Sequence, residues 1–161
     1  MIDGWVEVLV VVTAVGCGLM AGAFFVFSVM VMPALGDLPA ARGVAAMQSI
    51  NVTALRPPFM AAFLGTAVAS LVAAVAAALS LDEGQAGYVL AGGLLYLIGC
   101  FGETVAFHVP RNDALAEVDP DGADAPAHWR RYLREWTWGN HARTLACSAA
   151  MVVLILGLRA S

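Results

Sequence analysis

Lysine is absent from this chain, and charge of either sign is scarce: eight arginines and twelve acidic residues make up 12% of 161 residues, with a net charge of -4. No nucleic-acid partner is expected. Histidine and cysteine occur three times each, with no C-x-x-C, H-x-x-x-H or E-x-x-H pair. The local signatures of zinc sites and thiol redox motifs are therefore missing. Cys17, Cys100 and Cys147 fall singly in three apolar stretches and read as small packing residues. Aspartates at 119, 121 and 124 lack the spacing of an EF-hand loop and its closing Glu, which argues against calcium.

What fills the chain instead is apolar sequence, 61% hydrophobic with a mean hydropathy of +0.81. Three runs contain no charge: Val8 to Met32, Pro57 to Leu81 and Gly84 to Gly102. Each is near the roughly 20 residues that cross a bilayer. A fourth, Thr144 to Leu158, has only 15 residues, so a spanning helix must also take in Trp138, Asn140, His141 and Arg143. The first run follows Asp3 and Glu7 with no Lys or Arg and is too long for a signal-peptide core, so it is expected to be a retained span.

These runs predict an all-α polytopic membrane protein, a single domain over 1-161 with spans at about 5-32, 58-80, 85-107 and 138-158. Short and long connections alternate, as in an antiparallel four-helix bundle. A tight turn is expected near Asp82 to Gly84, and short interfacial helices in loops 1 and 3. In loop 1, about 15 helix-compatible residues lie between Asp-x-Pro and Pro57-Pro58. In loop 3, Trp129, Tyr132, Leu133 and Trp136 share a helical face. Gly18 and Gly22, Gly65, and Gly92 with Gly99 mark expected packing seams. Seven of the eight arginines lie on or beside the two longer loops, which predicts that those loops are cytoplasmic and both termini outside.

Ionisable groups in the hydrocarbon cost about 2.5 to 3.5 kcal/mol each and mark functional sites by default. Here they are Glu103, His108, His141 and Arg143. Antiparallel packing brings all four to the loop-covered end, where span one contributes Ser28 and loop 1 contributes Gln48 and Asn51. A polar pocket for a lipophilic small molecule is expected there. Structural readings stand beside this one: Glu103 and Arg143 pairing for tolerance in the membrane, Arg143 snorkelling to phosphates, and His108 ending a helix before Pro110. Gly139-Asn140 lowers helix propensity where the span enters the membrane. Two His and a Glu from separate helices are the only metal-ligand set in view, and a haem would need an axial His deeper in the bundle. No cofactor is expected.

Four blocks, AGAFFVFSVMVMPAL, AAMQSIN, FHVPRNDALAEVDP and WTWGNHARTLACSAA, resemble in order and spacing the anthrone-oxygenase-like family of small four-span membrane proteins. The resemblance runs from about Ala21 to Leu158. The family's Asn-His-x-Arg block maps onto Asn140, His141 and Arg143, its Met-Gln-x-Ile-Asn block onto Met47, Gln48, Ile50 and Asn51, and its Val-Pro-x-Asn block onto Val109, Pro110 and Asn112. His108 departs from the pattern, standing where many relatives carry Asn. Members in fungal polyketide pathways are implicated in oxidising an anthrone to an anthraquinone with dioxygen.

The resemblance implies an oxygenase acting on an aromatic or quinone-type lipophile, with His141 or His108 as base and Arg143, Asn140 and Asn112 stabilising an oxyanion. Trp136 and Trp138 would stack on a flat polycycle. A non-enzymatic protein that binds a lipophile or supports a partner complex is the alternative, a haem or metal redox protein the third reading, and a homo-oligomer is left open.

Overall fold

The computed structural model describes residues 4–80 and 83–160, so the turn expected near Asp82 falls partly outside the described residues. Among them the chain forms five helices and no strand: α1 (Gly4–Gly36), α2 (Ala40–Ala54), α3 (Pro57–Ser80), α4 (Gly84–Ala116) and α5 (Ala125–Arg159). All but α2 are long and apolar enough to cross a membrane. With Val15, Leu19, Ile98 and Leu145 facing outward, the protein is an integral, multi-pass membrane protein.

α1 and α4 each pack against both α3 and α5, which closes the four spans into a ring. Close approach rests on small residues, because apolar side chains gain little from each other in lipid. A Cβ on Gly92 would lie 2.6 Å from Leu154, and one on Gly99 would lie 2.7 Å from Ala146. Gly22 and Gly65, read as seam residues, instead face outward, and a Cβ on either would meet nothing within 4 Å among the described residues.

α1, α4 and α5 have 33 to 35 residues. At about 1.5 Å per residue they are roughly 50 Å long, well beyond a hydrocarbon layer of roughly 30 Å. Their surplus gathers with α2 into a cap that has its own apolar core, including Met32, Val44, Met47, Leu115 and Trp129. A separate core fills the bundle below and takes in all three cysteines. α2 covers the stretch read as a surface helix, and Gln48 ties it down through Nε2–H donation to the carbonyls of Leu115 and Val118, both at 2.9 Å.

The interfacial helix of loop 3 and the fourth span, expected as separate elements, form one unbroken α5 that runs through Gly139-Asn140. Packing offsets the propensity cost of glycine, about 1 kcal/mol. A Cβ on Gly139 would sit 2.5 Å from the Phe107 ring and 2.8 Å from Glu103 Oε1, so the bare backbone lets α4 close on α5.

Three stretches widen to π-helix: Phe27–Val31 in α1, and Leu97–Gly102 and Thr104–His108 in α4. Single π turns of this kind re-aim side chains and recur at functional sites. The two in α4 adjoin one another, and all three pack against α5.

Candidate functional site

The inner face of α5 is a stripe at helical spacing: Trp129, Tyr132, Trp136, Asn140, Arg143, Cys147, Ala150 and Leu154 are all buried. In its middle two apolar turns give way to Asn140 and Arg143. Asn140 Nδ2–H donates to the Phe24 carbonyl at 2.6 Å and to Ser28 Oγ at 2.7 Å, both on α1. Asn140 Oδ1 accepts from Arg143 Nη2 at 2.7 Å. Ser28 reaches this position because it lies on the first π segment.

Arg143 is 5% exposed and packed between rings, its guanidinium carbon 4.2 Å from the centre of Phe24 and 5.3 Å from that of Trp136. It does not snorkel. Nη1 donates to Thr104 Oγ1 at 3.1 Å, and Nε lies 3.7 Å from Glu103 Oε2, too long for a hydrogen bond. Among the described residues Nε–H has no other partner. A guanidinium carries five N–H groups, so a buried cation with donors to spare stands at this point.

His108 and Glu103 are five apart, about 140° around an α-helix. The intervening π turn brings them together: His108 Nδ1 lies 2.9 Å from Glu103 Oε2. His108 Nε2 is 3.3 Å from the Trp136 carbonyl, and its ring meets the Trp136 ring edge-on at 4.9 Å. Both ring nitrogens therefore face acceptors, so proton uptake by the neutral ring would leave both N–H groups partnered. His108 is 1% exposed, whereas Glu103 is 20% exposed at the α4–α5 seam.

Between bundle core and cap lies a cavity of about 550 Å³, inside the range of small-molecule sites. Its polar walls include His108, Arg143, Thr104, Asn51 and Asn112, with Ser49 and Thr53, and aromatic and aliphatic side chains make up most of the rest, Trp136 and Phe63 among them. Asn112 Oδ1 accepts from Tyr132 Oη at 2.8 Å and from Trp136 Nε1 at 3.1 Å, which fixes both aromatic rings. Asn51 Nδ2 makes a long contact, 3.5 Å, to Tyr132 Oη. Leu55, Val105 and Val109 line the cavity and are also exposed, so its mouth opens sideways between the α2–α3 corner and α4 across apolar side chains.

Of the residues singled out in the sequence, His108, Arg143, Asn51, Asn112 and Trp136 line the cavity. Asn140, Ser28 and Glu103 stand behind its wall and hold Arg143 and His108. Gln48 does not reach it and serves as the clamp of α2. His141 and Trp138 are corrections. α5 turns by about 100° per residue, so His141, one step from Asn140 and two from Arg143, faces outward. It is exposed, Trp138 is 74% exposed, and both lie on a surface depression outside the bundle. The set of two His and one Glu is therefore not assembled, and among the described residues no three His, Cys, Asp or Glu side chains converge as metal ligands.

Thr104, Phe24 and Tyr132 were missed. Their signal was position alone: Thr104 follows Glu103, and Tyr132 sits on the α5 stripe.

No curated protein and no solved structure matches the chain. A family model described as anthrone oxygenase matches residues 59–153, which is more than half of the sequence and holds α3, α4 and the Asn140 to Arg143 stretch of α5. By that match the chain belongs to the anthrone oxygenase family.

Proposed function

We propose that this protein is a membrane oxygenase that oxidises an aromatic or quinone-type lipophile with dioxygen in the cavity between bundle and cap. The observation that carries the reading is one juxtaposition: a buried histidine paired with a carboxylate, and a buried arginine with unspent donors, on one apolar cavity. Family membership supports the reaction class.

The chemistry follows from the substrate type. An anthrone CH2 is acidic because its carbanion is a phenolate-like enolate. His108, oriented by Glu103 through Nδ1, takes the proton on Nε2. Arg143 stabilises the enolate oxygen in a site that excludes water. The electron-rich carbon then reduces dioxygen and forms a C–O bond to a peroxide. Loss of the second C–H proton with cleavage of the O–O bond yields the quinone carbonyl and water. One dioxygen is consumed per quinone, and no cofactor is required by this scheme.

A lipophile would reach the cavity from the bilayer through the apolar mouth at Leu55, Val105 and Val109. The arginine bias supports a cytoplasmic position for the capped end and an outside position for both termini.

The test is to supply 1,8-dihydroxyanthrone to the reconstituted protein and follow anthraquinone absorbance together with oxygen uptake. Turnover above that of protein-free vesicles, at one oxygen per quinone, is expected. Tight binding of the anthrone with no acceleration would move the protein to the non-enzymatic reading.

A further inference from the structure

The outer face of α5 carries a second depression, on the side away from the cavity, of about 510 Å³. Its floor is apolar, made by Met32 and Pro33 at the end of α1 and by Leu133 of α5. Along its rim lie Arg130, Arg134, Thr137 and His141. Spacings of four, three and four set these donors in a row along one face of the helix.

The charge on this face is uncompensated. Arg131 spends itself on Glu135 at 2.9 Å, and Arg111 holds the other oxygen of the same carboxylate at 3.1 Å. Arg130 and Arg134 make no ion pair among the described residues, and no acidic side chain lines the depression. Two exposed guanidinium groups one turn apart, with a hydroxyl and an imidazole beyond them, are a donor set for a phosphodiester.

Depth selects the source of that phosphodiester. The depression sits where α5 passes from the arginines at 130, 131 and 134 to the charge-free run from Thr144 to Leu158, which is the headgroup level of a bilayer. Trp138 stands exposed beside it, as interfacial indoles do. An apolar floor under the donors suits the first carbons of an acyl chain and offers nothing to a hydrated free anion.

We propose that this depression binds the headgroup of an anionic phospholipid, with the phosphate against Arg130 and Arg134 and the glycerol region near Thr137 and His141. The site gives His141 a role outside the oxidation chemistry. The leaflet expected at this end is the one rich in anionic lipid.

Native mass spectrometry of the full chain in detergent tests this with palmitoyl-oleoyl phosphatidylglycerol, phosphatidylcholine with the same acyl chains, and inorganic phosphate as competitor. Phosphatidylglycerol should be retained in clear preference to phosphatidylcholine. The double variant Arg130→Gln/Arg134→Gln should bind phosphatidylglycerol about thirtyfold more weakly, the loss of two arginine attractions at a membrane surface. Both side chains are exposed and unpaired, so the double variant should keep its fold. Arg42→Gln on α2, away from the depression, should leave the affinity as it was. Equal retention of the two lipids, or wild-type affinity in the double variant, would overturn the proposal. Displacement of phosphatidylglycerol by inorganic phosphate would assign the donors to a free anion and overturn it as well.

Discussion

Arg143 illustrates how one side chain is made tolerable in a membrane and useful there. Two of its N–H groups are spent on Thr104 and Asn140, its flat faces lie near the Phe24 and Trp136 rings, and Glu103 supplies the opposing charge. Lysine would keep the charge but lose the planar fork and the stacking. Arg143→Lys is therefore expected to lower kcat for anthrone oxidation by about 10²-fold or more, the range seen when an oxyanion donor is removed. Steady-state kinetics in vesicles check this, and a lysine variant at full rate would remove the guanidinium geometry from the account. The sequence made Arg143 and Asn140 visible as polar groups in an apolar run. It misplaced His141 because proximity in sequence was allowed to stand for proximity in space, although Trp136, Asn140, Arg143 and Cys147 already continue the 3.6-residue stripe and His141 does not.

At the scale of the element, α4 and α5 show what periodicity can and cannot deliver. The presence of four apolar spans was legible from length arithmetic, and α2 from its Pro boundaries, but not how far α4 and α5 run past the apolar stretches. The π segments were not, because a widened turn leaves no compositional mark, and without them the five-residue spacing of Glu103 and His108 puts the two on different faces. The continuity of α5 through Gly139 was hidden for a related reason: local propensity falls there, and the approach of Phe107 and Glu103 to that backbone offsets the loss. Gly139→Val should therefore push α4 away from α5 and destabilise the protein by about 1 to 3 kcal/mol, the usual cost of overpacking. A thermal melt in detergent reads the effect. An unchanged melting temperature would mean that the seam is looser than described.

The whole molecule is a bundle whose three longest helices overshoot the hydrocarbon and build a cap from the excess, leaving the cavity at the junction of two apolar cores. Membrane thickness thus fixes the level of the site: the bundle core lies below it, and the cap shields it from water. Antiparallel connectivity, read from the alternation of short and long loops, was enough to gather Glu103, His108 and Arg143 at one end. The two-core division needed coordinates, since Met47 and Leu115 meet only after α2 folds back. Sidedness is expected to follow the arginines, so a reporter fused after Ser161 should sit outside the cytoplasm. Cytoplasmic activity of that reporter would invert the orientation.

The central claim is that the chemistry belongs to the cavity and to His108 rather than to the outward-facing His141. The most direct measurement compares the initial rate of 1,8-dihydroxyanthrone oxidation by His108→Ala and His141→Ala, reconstituted in the same vesicles with folding checked by melting temperature. Loss of a general base costs about 10²- to 10⁴-fold, so the His108 variant should be slower than the His141 variant by at least about tenfold. The reverse order, with His108→Ala close to wild type and His141→Ala inactive, would contradict the account.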